Sequence, residues 1–177
     1  MDTLAEFNDR KTLIVGDVNT GKTARCIAIL QQFIAAGRAR QITVIDLAPD
    51  AVGNVGGKLT VPGRPGLRYL TRPIAAPRLT AADEKQAQAL ARANARSIER
   101  LFEGFLAHPS DILFINDASL YLQAGDPSRL LAVIAMAPTV VMNAYMGTSF
   151  PDSALSRREK QMVQLVSRHC DRIVSTA

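Results

Sequence analysis

Apolar positions along the chain follow two rules. Nearly unbroken apolar and β-branched runs at residues 11–15, 41–46, 111–117, 139–143 and 171–175 read as short buried strands. Between them, apolar residues return at helical spacing. The first such stretch covers 24–36 and stops at Gly37, where a left-handed C-terminal cap belongs. A longer one opens at Thr80-Ala81-Ala82-Asp83 with a capping signature and runs to about Ala107, ahead of Pro109. Its apolar stripe carries Ala87, Leu90, Asn94, Ile98, Leu101 and Phe105, and at ~1.5 Å per residue it spans ~40 Å. Asp126-Pro127 starts a helix through 130–136, and Ser156 with Glu159 opens the last helix as a capping box.

The pattern breaks over 50–77, which is rich in Gly, Pro and Arg. Loops of this length are usually functional or disordered. Within it, 67–70, bracketed by Pro65 and Pro73, offers one short edge strand. Strands alternating with helices predict an α/β fold: a three-layer sandwich around a mostly parallel five-stranded sheet. The expectation is a single domain over 1–177 with an insertion at about 48–78.

Composition sharpens this picture. Hydrophobic residues make up 47% of the chain, Trp is absent and aromatics are 5%, so the core is mostly aliphatic, as a helix-covered parallel sheet requires. Cys26 and Cys170 lack metal-ligand spacing and read as structural thiols in a reducing cytosol. The N-terminus has no basic start followed by an apolar core, and no apolar run reaches membrane-spanning length, so a cytoplasmic protein without membrane insertion is expected. A net charge of +5 favours polyanionic partners without choosing between a nucleotide and nucleic acid. Arg64, Arg68, Arg72 and Arg78 cluster in the insertion, as a solvated loop or an anion contact. Arg92, Arg96 and Arg100 stack along the long helix with Glu99 and Glu103 within pairing reach, which reads as a charge-laced surface.

The chemistry concentrates in one stretch, Gly16-Asp17-Val18-Asn19-Thr20-Gly21-Lys22-Thr23, followed by Ala24 and the first helix. Strand, glycine loop and helix follow one another in the order a phosphate-binding loop requires. Gly16 and Gly21 let the backbone turn tightly so that successive N–H groups face one anion, and the helix start adds its unpaired N–H groups. Lys22 is placed for the β and γ phosphates and the Thr23 hydroxyl for Mg²⁺. Three other strands end in polar residues: Asp46, Asn116-Asp117 and Asn143. Acids at strand ends face the ligand crevice of an open α/β sheet. Asp46 suits magnesium, a nucleophile or a turn. Either Asp117 is the magnesium acid, or Asn116 takes that place and Asp117 the catalytic one. Asn143 suits sensing the γ-phosphate or orienting water. Arg157 and Arg158 are candidates for an arginine finger, with surface charge as the simpler assignment.

This order of motifs resembles the additional-strand branch of P-loop nucleoside triphosphatases, which holds RecA-like and AAA-like ATPases. The likeness implies that the Walker B strand, 111–117, is separated from the Walker A strand by the strand ending in Asn143. It also implies an ATP and Mg²⁺ site built by residues 16–24, with Lys22, Asp117 and Asn143 as catalytic residues and Thr23, Asp117, Asn116 and Asp46 around the metal. Hydrolysis is the activity expected. Phosphoryl or adenosyl transfer to a small molecule and a ParA/MinD-like switch of low turnover are the alternatives. The ParA/MinD signature lysine is replaced here by the Asp17-Val18 region, and Asn143-Ala144-Tyr145-Met146 departs from the guanine motif of small GTPases, which favours adenine. Beyond the nucleotide, self-association and a protein partner stay open, and nucleic acid stays an open but unsupported alternative.

Overall fold

The computed structural model describes residues 3–60 and 66–176. Six strands form one all-parallel sheet: β1 (Lys11–Gly16), β2 (Ile42–Asp46), β3 (Arg68–Thr71), β4 (Ile112–Asn116), β5 (Thr139–Tyr145) and β6 (Arg172–Thr176). Their order across the sheet is β3-β2-β4-β5-β1-β6. The strand ending at Asp46 is in register with β4, so that Asp46 lies beside Asn116. β5 runs between β1 and β4.

Each central strand alternates its side chains between two cores. Ile14, Ile112, Phe114 and Val141 face α1 (Lys22–Ala35), where Cys26, Ile29, Leu30 and Phe33 close over them. Leu13, Val15, Leu113, Ile115, Val140 and Met142 face the opposite layer. That layer comprises α3 (Glu84–Ala107), α4 (Ser119–Leu122), α5 (Pro127–Ala135) and α6 (Ala154–Ser167), preceded by the one-turn α2 (Pro77–Thr80). Burial on both faces explains why the strands carry unbroken apolar runs.

The sixth strand is β3, the edge strand within the insertion, one residue later than the 67–70 segment. It is fastened to β2 by more than the ladder, since the Thr71 hydroxyl donates to the Asp46 carbonyl at 2.9 Å. Helix starts also move. Thr80 ends α2, its hydroxyl donating to the Ala76 carbonyl, and Asp83 is the true cap of α3, accepting from the Gln86 N–H at 2.7 Å. Ser153 rather than Ser156 caps α6, accepting from the Ser156 N–H at 3.1 Å, which leaves Glu159 one turn further in and buried. A hydroxyl or carboxylate three residues before a free N–H is the recurring requirement, and both positions had such neighbours to choose from. Asp126 and Pro127 do open α5, and Gly37 takes φ +77° just past α1, as the pattern predicts.

Two features of the long helix are redirected. Asn94, on the apolar stripe, clamps the insertion by donating to the Ala75 carbonyl and accepting from the Ala75 N–H, both at 2.9 Å. Glu99 and Glu103 reach Arg129 of α5, each at 3.7 Å. The arginines of the insertion disperse. Arg68 lies over the Phe105 ring, Arg72 donates to Ser97, Arg78 turns inward, and Arg64 lies outside the described residues. Among the described residues no helix is long and apolar enough to cross a membrane.

Candidate functional site

The carboxyl ends of β1, β2, β4 and β5 open on a cleft of about 420 Å³. That volume falls within the range of small-molecule sites, about 300–1,000 Å³. Val18 to Thr23 form one wall, Ala48, Pro49 and Val55 to Lys58 a second, Ala76 to Leu79 a third. Asn116, Asp117, Leu120, Gln123, Asn143, Tyr145 and Phe150 complete it. Gly16, Asp17, Ala24 and Asp46 are not part of this lining.

The loop from Gly16 to Thr23 turns for reasons the sequence only half shows. Asn19 (φ +56°) and Gly21 (φ +83°) make the left-handed steps. Gly16 answers a different need. A Cβ there would come within 2.3 Å of Thr176 Oγ1 and 2.7 Å of the Thr176 carbonyl, so the glycine lets the loop lie against the end of β6. Thr20 braces the same contact, donating to the Asp17 carbonyl at 2.9 Å and sharing a 2.8 Å hydrogen bond with Thr176. At Gly21 a Cβ would meet nothing within 4 Å, and no side chain caps α1. The first N–H groups of that helix are therefore left for whatever enters the cleft.

Lys22 Nζ donates to the Asp17 carbonyl across the loop. Burial pushes the ammonium below its usual range, against the attraction of Asp117 and Asp17. The Asp17 carboxylate faces the other way and pins the 147–149 turn. It accepts from the N–H groups of Val18 and Thr148 and from the Ser149 hydroxyl, which holds its pKa down at about 2. Gly147 is needed there, because a Cβ would fall 2.3 Å from the Asp17 carboxyl carbon.

A chain of buried polar side chains crosses the strand ends. Asp46 is 0% exposed, and both of its oxygens are spent. Oδ1 accepts from the Ala48 N–H and Asn116 Nδ2, and Oδ2 from the Leu59 N–H and the Tyr69 hydroxyl, the last two at 2.6 Å. Asn143 Nδ2 donates to Asn116 Oδ1 at 2.9 Å and towards Cys26 Sγ at 3.3 Å, while its Oδ1 accepts from the Asp117 N–H at 2.8 Å. Asp46 thus lies beneath the cleft floor with both carboxylate oxygens engaged by the chain itself. Asn116 and Asn143 border the cleft with amides already committed inward. Burial pushes the Cys26 thiol up to about 12, in keeping with a structural role.

Asp117 is different. Its backbone takes φ +57°, an uncommon conformation for a residue with a side chain, and Asn143 on one side holds it there. That turn carries its carboxyl off the strand and into the cleft with Lys22. Burial raises its pKa, opposed by Arg78, the Ser119 hydroxyl and Lys22. Of the pair Asn116-Asp117, the second is the acid that faces the loop. Among the described residues no group of three or more His, Cys, Asp or Glu side chains could hold a metal ion by itself. Thr23 and Asp117 fit a magnesium ion that draws its other ligands from phosphate and water, the usual arrangement for that ion.

Sequence reasoning missed the far wall. Arg78 of α2 donates to Glu159 Oε1 at 2.8 Å and lies over the rings of Tyr145 and Phe150, 4.7 and 4.0 Å from their centres. Gln123 Nε2 donates to Glu159 Oε2 at 2.8 Å. Burial lifts Glu159 to about 7, although Arg78 and Gln123 pull the other way. These residues are 36 to 81 positions apart, and no local pattern in the sequence connects them. The two candidate fingers are occupied elsewhere: Arg157 pairs with Asp152, and Arg158 donates to the Gly125 carbonyl at 2.8 Å. Lys58 staples its loop to the sheet, donating to the Ala48 and Arg72 carbonyls and to Thr71.

No protein-family model matches this chain, and no curated protein matches it.

Proposed function

We propose that this chain is a P-loop nucleoside triphosphatase of the additional-strand branch that binds Mg-ATP between the Gly16–Thr23 loop and Asp117. The observation that carries the reading is the meeting, in one cleft, of an uncapped helix start, a half-buried lysine and a desolvated carboxyl. The place of β5 between β1 and β4 agrees with it.

When bound, the magnesium nucleotide supplies the phosphoryl group and an electrophilic phosphorus. The chain supplies the surroundings. Backbone N–H groups from Asn19 to Thr23 and the Lys22 ammonium offer donors to phosphate oxygens, and the low solvation of Lys22 strengthens its attraction for an anion. Thr23 and Asp117 offer oxygens to the metal or to its waters. Asn143 holds the Asp117 backbone through its Oδ1 and would act as a positioning residue for that acid. Asn116, whose amide donates to Asp46 and accepts from Asn143, would contribute less to the metal than Thr23 or Asp117.

The test is titration of a fluorescent ATP analogue with and without Mg²⁺, followed by a phosphate-release assay. For Lys22→Ala we expect binding weakened at least about 100-fold and release lost, the scale of removing one preorganised electrostatic contact. Unchanged affinity and turnover in that variant would refute the reading.

A further inference from the structure

One buried group in the cleft has no partner among the described residues. Gln123 is 2% exposed and borders the cleft, yet its Oε1 makes no hydrogen bond. Its orientation is set by its neighbour, since Nε2 donates to a Glu159 carboxylate whose other oxygen takes Arg78. The free atom is therefore the acceptor. An orphaned buried carbonyl is costly, and such groups are few in native proteins.

The surroundings define what would satisfy it. Leu120, Tyr145 and Phe150 supply apolar lining, the two rings meeting edge to face at 5.1 Å. Arg78 is engaged by Glu159 at 2.8 Å and by the rings of Tyr145 and Phe150. Phosphate oxygens bring only acceptors at neutral pH and would oppose Gln123 Oε1. Building on the nucleotide site proposed above, we infer that Gln123 Oε1 is the recognition point for an uncharged N–H or O–H donor on a compact, partly apolar molecule. Two sources share that chemistry: the nucleoside part of the bound nucleotide, and a separate hydroxyl- or amine-bearing small molecule beside it. Gln123 then sets specificity, and Lys22 with its loop sets phosphate affinity.

The experiment measures binding by calorimetry and thermal shift, using Mg-tripolyphosphate, Mg-ATP, and Mg-ATP analogue with glycerol, ethanolamine, D-ribose or adenosine added. Gln123→Met and Gln123→Leu, checked for folding by circular dichroism, are compared with the unaltered protein. If the nucleoside is the donor, the variants lose about tenfold in affinity for Mg-ATP and nothing for Mg-tripolyphosphate. If a second molecule is the donor, at least one added compound stabilises the unaltered protein and loses about tenfold in the variants, with Mg-ATP unchanged. The inference is overturned if Mg-ATP gains nothing over Mg-tripolyphosphate and no added compound binds the unaltered protein. It is equally overturned if all ligands bind the folded variants as they bind the parent. Failure of both Mg-ATP and Mg-tripolyphosphate to bind the parent would instead remove the nucleotide site, and this inference with it.

Discussion

Asp46 and Asp117 are acids at the carboxyl ends of two neighbouring strands, β2 and β4, the first fully buried and the second partly exposed to the cleft. Asp46 accepts four hydrogen bonds from its own chain and is sealed beneath Leu59 and Tyr69. Asp117 is turned by a left-handed backbone step out of the strand and into the cleft, where Lys22 and Arg78 feel its charge. The contrast teaches that a strand-end carboxylate is available for chemistry only when the fold leaves its oxygens unspent. One acid builds the floor, and the other faces the ligand space.

The largest effect expected from this contrast is on stability. Asp46→Ala strips the acceptor from two backbone N–H groups, a tyrosine hydroxyl and an amide, and should cost about 3–5 kcal/mol in urea unfolding. Asp46→Asn, which keeps one oxygen, should fold and cost less. Nucleotide affinity of the folded Asp46→Asn protein should stay within about twofold of the parent. A large loss of Mg²⁺-dependent binding without loss of stability would return Asp46 to the metal.

Asp117→Asn should behave in the opposite way. Replacing a desolvated, partly opposed carboxyl by an amide of the same shape should leave urea stability within about 1 kcal/mol, or raise it slightly. Phosphate release should fall about 10²–10³-fold, the loss of one charged contact at the reacting group. Full Mg²⁺-dependent turnover in this variant would erase the distinction between the two acids.

Local sequence carried part of this and could not carry the rest. The turn between β1 and α1, α1 itself, the length of α3 and the central strands were legible because each depends on a contiguous motif or a period. Where two capping residues stood within three positions, as at Thr80 and Asp83, packing chose between them, and α6 starts from Ser153 rather than from the Ser156 expected. Gly16 looked like a phosphate-approach glycine, and its actual constraint is the end of β6, 160 positions away in the chain. Asp46, Asn116 and Asn143 looked alike as polar strand ends. Which of them is spent depends on partners such as Tyr69, Leu59 and Cys26, and these are brought in by sheet order alone. The Arg78–Glu159–Gln123 group had no local signal for the same reason.

Glu159 lies between the two extremes, with partners on both oxygens but in surroundings that still lift its pKa from 4.5 to about 7. The raised value means that the folded protein holds the proton more tightly than the unfolded chain does. Its contribution to stability is therefore fully present below pH 4.5 and is lost as the pH rises towards 7, beyond which both states are ionised and the slope vanishes. The size of the effect is at most about 3 kcal/mol, at 1.36 kcal/mol for each pKa unit. Glu159→Gln should remove that component of the slope between pH 4.5 and 7 in urea titrations, whatever it does to the absolute stability through its contact with Arg78. If the parent and Glu159→Gln show parallel pH profiles, pairing with Arg78 and Gln123 outweighs burial, and Glu159 belongs with Asp46 as an acid wholly satisfied by the fold.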